Sequence, residues 1–357
     1  MRVIHLGKFY PPDKGGIETA TKSIIDYLWQ KNISCDLVCF SSHPSSEEKT
    51  KGGTLYRFKS KFKLLSTPFS MEYLFFLIRH IHRYQVVHIH VPNPLSLFFL
   101  FCIRPHQKLI VHWHSDVVNQ RRAHIFYRPF ENMMLLRSNT IIVGTEEYFM
   151  HSEPLQAHKD KVKFISYAVD DPEIAKKKSV DGFIHVLSVG RLVRYKGYEN
   201  LVRAGEYLNA NIKITLIGDG PEFKNLKSII RQKNLGNIEI RNCVEDLKKF
   251  HLEADMFCLP SVSRAESFGI SLIEAMSFRL PLITTNVQGS GMNYINIDKK
   301  TGIVVELNSP VALANAINEL AASEQLREDY SQNSYARFKK LFEYKNVLPE
   351  YIRIYSL

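Results

Sequence analysis

Short apolar runs rich in Val and Ile recur along this chain, each followed by a stretch of helical period, and this alternation limits the possible fold more than any other feature. The first series reads VIHL (3–6), the helical IETATKSIIDYLWQK (17–31), CDLVCF (35–40), VVHIH (86–90), LIVHW (109–113) and TIIVG (140–144). Runs that are apolar throughout belong to strands covered on both faces, as in parallel sheets. A polar stretch, DDPEIAKKKSVD at 170–181, breaks the pattern. It restarts with FIHVLSVG (183–190), ITLIGDG (214–220), IEIRN (238–242), MFCLP (256–260) and LPLITT (280–285). The expected architecture is therefore α/β, with two Rossmann-like doubly wound domains whose strand ends face one another across a cleft. The first domain is expected over 1–172 and the second over 173–335. The helical segment 336–357 is expected to cross back onto the first.

A length of 357 residues exceeds what one core ordinarily supports. The balance is basic, with 47 Lys and Arg against 36 Asp and Glu, and 22 against 15 within residues 1–172. Such an excess suits an anionic bilayer, a nucleic acid or a phosphorylated small molecule, and equally a plain soluble surface. Cys35, Cys39, Cys102, Cys243 and Cys258 form no CxxC pair, so neither a disulfide framework nor a zinc site is expected and a reducing cytoplasm fits. The chain enters its first strand-like run, MRVIHLG, without a charged leader and apolar core, and secretion is not expected. The apolar stretch Leu95–Ile103 is nine residues long, against the roughly 20 that a spanning helix needs.

The glycines of the motifs lie where strands give way to helices. Gly15 and Gly16 open the first helix, where unpaired N–H groups and the helix dipole favour a phosphate; a simple turn is the alternative. In SVGRLVRYKG, Arg191 and Lys196 follow a strand, and a guanidinium with an ammonium suits a diphosphate that leaves carrying negative charge. LIGDGPE holds Gly218 and Gly220, a GxG without the third glycine of a dinucleotide fingerprint. In SRAESFGISLIEAM, Glu266 stands in a loop and Glu274 lies eight residues on, about 12 Å along a helix beginning near Phe268, Gly269 and Ile270. Two carboxylates so spaced serve two parts of one extended ligand: sugar hydroxyls and a ribose diol.

Together these motifs resemble glycosyltransferase family 4, the retaining enzymes with the GT-B fold, over nearly the whole chain. The resemblance implies that Arg191 and Lys196 bind the donor pyrophosphate, that Glu266 lies by the donor sugar and that Glu274 contacts the nucleotide ribose. It also implies that no metal or other cofactor is needed, the substrate itself being the nucleotide sugar. Donor contacts are expected from Gly15, Gly16, Gly218, Phe268, Gly269 and Ile270 as well. Gly289, Ser290, Gly291 and Met292 are expected to offer backbone N–H groups. In HWHSD (112–116), resemblance to members with a histidine in this loop places His114 against the transferred sugar, with Asp116 beside it on the acceptor side.

HSD together with QGSGMNYIN (288–296) is similar to mannosyltransferases of O-antigen and exopolysaccharide assembly, which favours mannose from GDP-mannose and a lipid-linked glycan acceptor. A UDP-sugar donor (GlcNAc, glucose or galactose) is the alternative. The basic, aromatic segment 61–83, with LFFLFCIRP (97–105), has the composition of an interfacial helix, which would place the enzyme on the inner face of the cytoplasmic membrane. Equally, Tyr73, Leu74, Phe76 and Leu77 are read as core-facing residues of a Rossmann helix. A dinucleotide-dependent oxidoreductase lacks its intact fingerprint here. A non-catalytic basic surface-binding protein leaves the four donor-side charges without work, and no nucleic-acid partner is expected.

Overall fold

The computed structural model describes residues 1–13, 15–60, 62–64, 67–93, 95, 100–116, 121–173, 181–242, 244 and 246–356. Lys14 of the glycine motif, parts of the segments 61–83 and 97–105, most of the polar stretch 170–181 and Cys243 lie outside these residues. Two compact units result: residues 1–168 with 347–357, and residues 169–346. The sequence reading divides the chain at 172/173 and starts a closing helical segment at 336. In the structure the helix Glu324–Leu341 lies within the second unit, and the chain re-enters the first unit inside the helix Tyr344–Ser356.

The first unit holds strands β1 (Arg2–Leu6), β2 (Ser34–Ser41), β3 (Ser46–Lys49) and β4 (Thr54–Lys59), a two-stranded pair β5 (Phe62–Leu64) and β6 (Thr67–Phe69), then β7 (Val86–Val91), β8 (Lys108–Trp113), β9 (Thr140–Val143) and β10 (Val162–Phe164). Its main sheet runs β10-β9-β8-β7-β1-β2-β4-β3, parallel except where β3 meets β4. Side chains alternate across a strand. One face of the sheet therefore carries Ile4, Leu6, Val87, Ile89 and Val111 into the core, while His5, His88, His90 and His112 take the other. Register sets His5 opposite His88 and His90 opposite His112. Tyr351 and Tyr355 of the C-terminal helix lie against this histidine face. The Lys108 ammonium donates to the Ile354 carbonyl at 2.5 Å, satisfying one of the carbonyls that a helix end leaves open.

Helix Met71–His80 is apolar on two sides. Tyr73 and Leu77 are fully buried, and Leu74 and Phe76 pack against the core. Met71, Phe75 and Ile78, at helical spacing, remain 47, 53 and 55% exposed. Among the described residues no helix is long and apolar enough to cross a membrane.

The second unit holds β11 (Ile184–Val189), β12 (Ile212–Ile217), β13 (Ile238–Arg241), β14 (Met256–Leu259), β15 (Leu282–Thr285) and β16 (Gly302–Val305) in one parallel sheet ordered β13-β12-β11-β14-β15-β16. The carboxyl ends of β12, β11, β14 and β15 are thus neighbours, and each motif of this unit expected on the donor side follows one of these four ends. Phe257 of β14 is wholly buried; its truncation to alanine costs about 3–5 kcal/mol by lost transfer energy and the cavity left.

Candidate functional site

Backbone packing assembles the donor-side residues of the second unit. The loop after β11 folds against the loop after β12, and a Cβ on Gly218 would lie 1.9 Å from the Gly190 carbonyl oxygen, so only glycine permits the approach. Leu192 N–H donates to the Asp219 carbonyl at 2.8 Å and Glu222 N–H to the Leu192 carbonyl at 3.0 Å. On its other side the β11 loop meets the loop after β14. Gly197 sits at φ +67, a left-handed conformation that costs other residues energy, and a Cβ there would fall 2.1 Å from the Pro260 carbonyl oxygen. Val262 N–H donates to the Tyr195 carbonyl at 2.8 Å across the same contact.

This contact brings Lys196 to Glu266. The ammonium pairs with Glu266 Oε2, and the two side chains are only 11 and 10% exposed. Ser261 Oγ donates to the same oxygen at 3.3 Å. Glu266 Oε1 makes no hydrogen bond among the described residues, which leaves one oxygen of the carboxylate as an available acceptor. Burial is the largest single influence and disfavours the Lys196 charge, but the Glu266 carboxylate together with Tyr198 and Tyr195 outweighs it and raises the lysine pKa above its ordinary value. Arg191 is exposed, and its guanidinium has no hydrogen bond or ion pair among the described residues. An anion arriving at this edge thus meets one cation held in place and one free to close on it.

Helix Ile270–Ser277 begins after Gly269 and carries Glu274 on its second turn. Burial raises the Glu274 pKa to about 7, with the Lys196 charge opposing the rise. Phe268 is buried and packs edge-on to Phe342. In the segment 289–292 three of the four amides have partners in the fold. Ser290 N–H donates to the Val287 carbonyl, Gly291 N–H to the Ser267 carbonyl, and Met292 N–H to Ser290 Oγ, while Ser290 Oγ donates to the Glu266 carbonyl. The Ser290 and Met292 amides are thus engaged within their own loop, while the Gly291 amide and the Ser290 hydroxyl fasten that loop to the Glu266 turn.

In the first unit, Gly15 caps the helix Gly16–Gln30, whose first-turn N–H groups have no intrahelical partners. Asp116 is held by Trp113 Nε1 at 2.9 Å and Ser152 Oγ at 2.6 Å, so its carboxylate braces the loop. His114 is 2% exposed rather than projecting freely, with Nε2 2.9 Å from His90 Nδ1 and Nδ1 2.5 Å from Tyr167 Oη. Among the described residues, the groups of three side chains close enough to share an ion are His5, His88, His90 and His90, His112, His114.

Sequence reasoning misses Ser261 and Tyr198. The Tyr198 hydroxyl is buried without a partner among the described residues and flanks Gly190 beside Lys196. Nothing in YKGYEN marks that tyrosine. The histidine cluster does carry a signal, since HIH and HWH place their histidines on one face by the period of a strand.

The family model for glycosyl transferases group 1 matches residues 169–337, and the model for Glycosyltransferase Family 4 matches residues 14–173. O-antigen chain mannosyltransferase C of Escherichia coli is 29% identical, with 100% of this chain and 98% of that protein covered. D-rhamnosyltransferase WbpZ of Pseudomonas aeruginosa is 29% identical over 96 and 92% of the two chains. Among solved structures, sucrose-phosphate synthase from Thermosynechococcus elongatus superposes with a TM-score of 0.80 at 19% identity, covering 100% of this chain and 98% of the other. Anabaena Alr3699/HepE in complex with UDP gives 0.78 at 16% identity, with 100% of both chains covered.

Proposed function

Because the chain belongs to glycosyltransferase family 4 and has the GT-B fold, we propose that it transfers mannose from GDP-mannose, with retention, to a lipid-linked glycan in bacterial surface-polysaccharide assembly. The class is a glycosyltransferase of bacterial polysaccharide synthesis. The observation that carries the donor half is the Lys196–Glu266 pair with exposed Arg191 on the same loop. The choice of mannose draws on the end-to-end similarity to the Escherichia coli mannosyltransferase. A UDP-sugar is the second reading, favoured by the UDP bound in the Anabaena structure.

In this proposal Lys196 and Arg191 hold the donor diphosphate, Glu266 Oε1 accepts from a hydroxyl of the sugar, and Glu274 accepts from the ribose diol. The acceptor oxygen attacks the anomeric carbon from the face the diphosphate leaves. As the carbon–oxygen bond to phosphate breaks, the acceptor proton passes to the departing phosphate oxygen. The charge gathering on that diphosphate is what the two cations stabilise, the work a divalent ion does elsewhere. Transfer is therefore expected to persist in EDTA, and abolition by chelation with rescue by magnesium would contradict it. On the first unit, Met71, Phe75 and Ile78, with exposed Arg79 and Arg83 nearby, form the face proposed to rest on an anionic leaflet. Co-sedimentation with phosphatidylglycerol vesicles at low salt tests it, and equal recovery with neutral vesicles would refute the electrostatic part.

A further inference from the structure

Six side chains of the first unit form one unbroken series of hydrogen bonds. Tyr167 Oη lies 2.5 Å from His114 Nδ1, and His114 Nε2 lies 2.9 Å from His90 Nδ1. His90 Nε2 lies 2.9 Å from His5 Nδ1, and His5 Nε2 2.9 Å from Tyr355 Oη. Tyr355 Oη then lies 2.8 Å from His88 Nδ1. All six side chains are buried. His112 stands outside the series with its ring stacked on His114, centroids 4.0 Å apart.

A neutral imidazole carries one N–H and one lone pair, and a phenol in such a series accepts from one neighbour and donates to the next. The direction of any one bond therefore sets the direction along the series; the Thr21 hydroxyl, 3.4 Å from His90 Nδ1, can accept or donate and fits either sense. In one sense every histidine of the series is protonated at Nε2, and the series ends on His88 with a buried Nε2–H that has no acceptor among the described residues. In the other sense every histidine is protonated at Nδ1, and His88 ends on a lone pair. An unpaired buried donor is the costlier of the two. Burial also favours the neutral state that the series requires, lowering the pKa of His5, His88, His90 and His114, with His90 at about 3.

We propose that this series is a positioning device for His114: Tyr167 at one end, and the unpaired His88 nitrogen acting through Tyr355, His5 and His90 at the other, hold His114 as its Nδ1–H tautomer. The relevance to transfer rests on the reading that places His114 at the transferred sugar. Each of the two histidine triads whose nitrogens lie within 4.8 Å of one another includes two of His5, His90 and His114. Because His5, His90 and His114 each have both nitrogens engaged in the series, a metal ion would enter only by breaking it.

The test uses the full-length chain labelled with ¹⁵N-histidine, without substrate, and long-range proton–nitrogen correlation to read each tautomer. His5, His88, His90 and His114 are expected as Nδ1–H forms. Tyr167→Phe keeps the ring but removes the hydroxyl at the first end of the series; either sense then leaves one buried N–H unpaired, at His114 or at His88, and the single His114 signal pair is expected to become a mixture of tautomers. Tyr355→Phe shortens the series to end on the His5 Nε2 lone pair, and His114 is expected to stay the Nδ1–H form. In Tyr167→Phe, kcat is expected to fall about 10²-fold at unchanged donor KM, the scale of a misplaced reacting group. A His114 spectrum unchanged in Tyr167→Phe overturns the series whatever the rate does. Altered tautomers at wild-type rate uphold the series and overturn the role of His114 in transfer. One zinc or copper ion per chain retained through dialysis against EDTA also overturns the proposal.

Discussion

Lys196 and Glu266, brought together from the loops after β11 and β14, form an ion pair about nine-tenths shielded from solvent, while Arg191 on the lysine's own loop stays exposed. The pair ties two loops of the fold together, whereas the arginine side chain makes no such tie. Lys196→Ala leaves a shielded carboxylate unpaired, so it is expected to lose about 3 kcal/mol of stability. In the proposed mechanism it also lowers kcat by about 10²–10³ at saturating donor. Arg191→Ala is expected to leave the melting temperature unchanged, to raise the donor KM and to lower kcat less than Lys196→Ala does. Urea melts and initial rates on both variants separate the two roles, and a stable, fully active Lys196→Ala would remove the lysine from the mechanism.

Glu274 gives a pH signature. Its pKa rises from 4.5 to about 7 in the fold, so the folded state holds a proton that the unfolded state has released. The contribution to stability is thus fully present below about 4.5 and is lost as pH rises through about 7. Glu274→Gln is expected to gain stability relative to wild type at pH 8 and not at pH 4. If the carboxylate binds the ribose diol, donor KM in wild type falls as pH rises through 7, and the glutamine variant loses that dependence. Melting curves and donor KM across this range check both.

Both sheets and the donor-side motifs are legible in the sequence because parallel strands are apolar throughout and because each motif sits where a strand ends. The contact between Lys196 and Glu266 is not legible, since it depends on Gly197 lying against the Pro260 carbonyl, a close approach between two loops. The same holds for the segment 289–292. Its glycines suggest open amides, yet the Gly291 N–H is taken by the Ser267 carbonyl and the Ser290 hydroxyl by the Glu266 carbonyl. His114 reads as an open loop residue because it follows a strand, but Tyr167 and His90 take both its nitrogens.

The glycine contact makes its own prediction. Gly197→Ala must adopt a left-handed conformation, costing about 1–3 kcal/mol, and must also push the Pro260 carbonyl away. A fall in melting temperature with a loss of rate is expected. Gly236→Ala, where a Cβ meets nothing within 4 Å, serves as the control and is expected to change neither.

Acid should act on the first unit. His5, His88, His90, His112 and His114 are held neutral by burial, with pKa values below the ordinary 6.5. The unfolded chain binds these protons first, so stability is full above about 6.5 and is lost as pH falls below it. Each such group removes about 1.4 kcal/mol per pH unit in that window. Urea midpoints at pH 7.5 and 5.5 are expected to differ, and His112→Asn is expected to reduce the difference. Equal midpoints would mean that the histidines are not neutral in the fold.

The central claim is that the second unit positions a nucleotide-activated sugar for transfer. The most direct measurement is nucleotide release by the full-length chain from GDP-mannose, UDP-glucose, UDP-galactose and UDP-GlcNAc, each with a lipid-linked glycan acceptor. Acceptor-dependent release of GDP from GDP-mannose alone, lost in Lys196→Ala, is the predicted result. Release from a UDP-sugar alone would overturn the mannose donor, and release that survives Lys196→Ala undiminished would overturn the site.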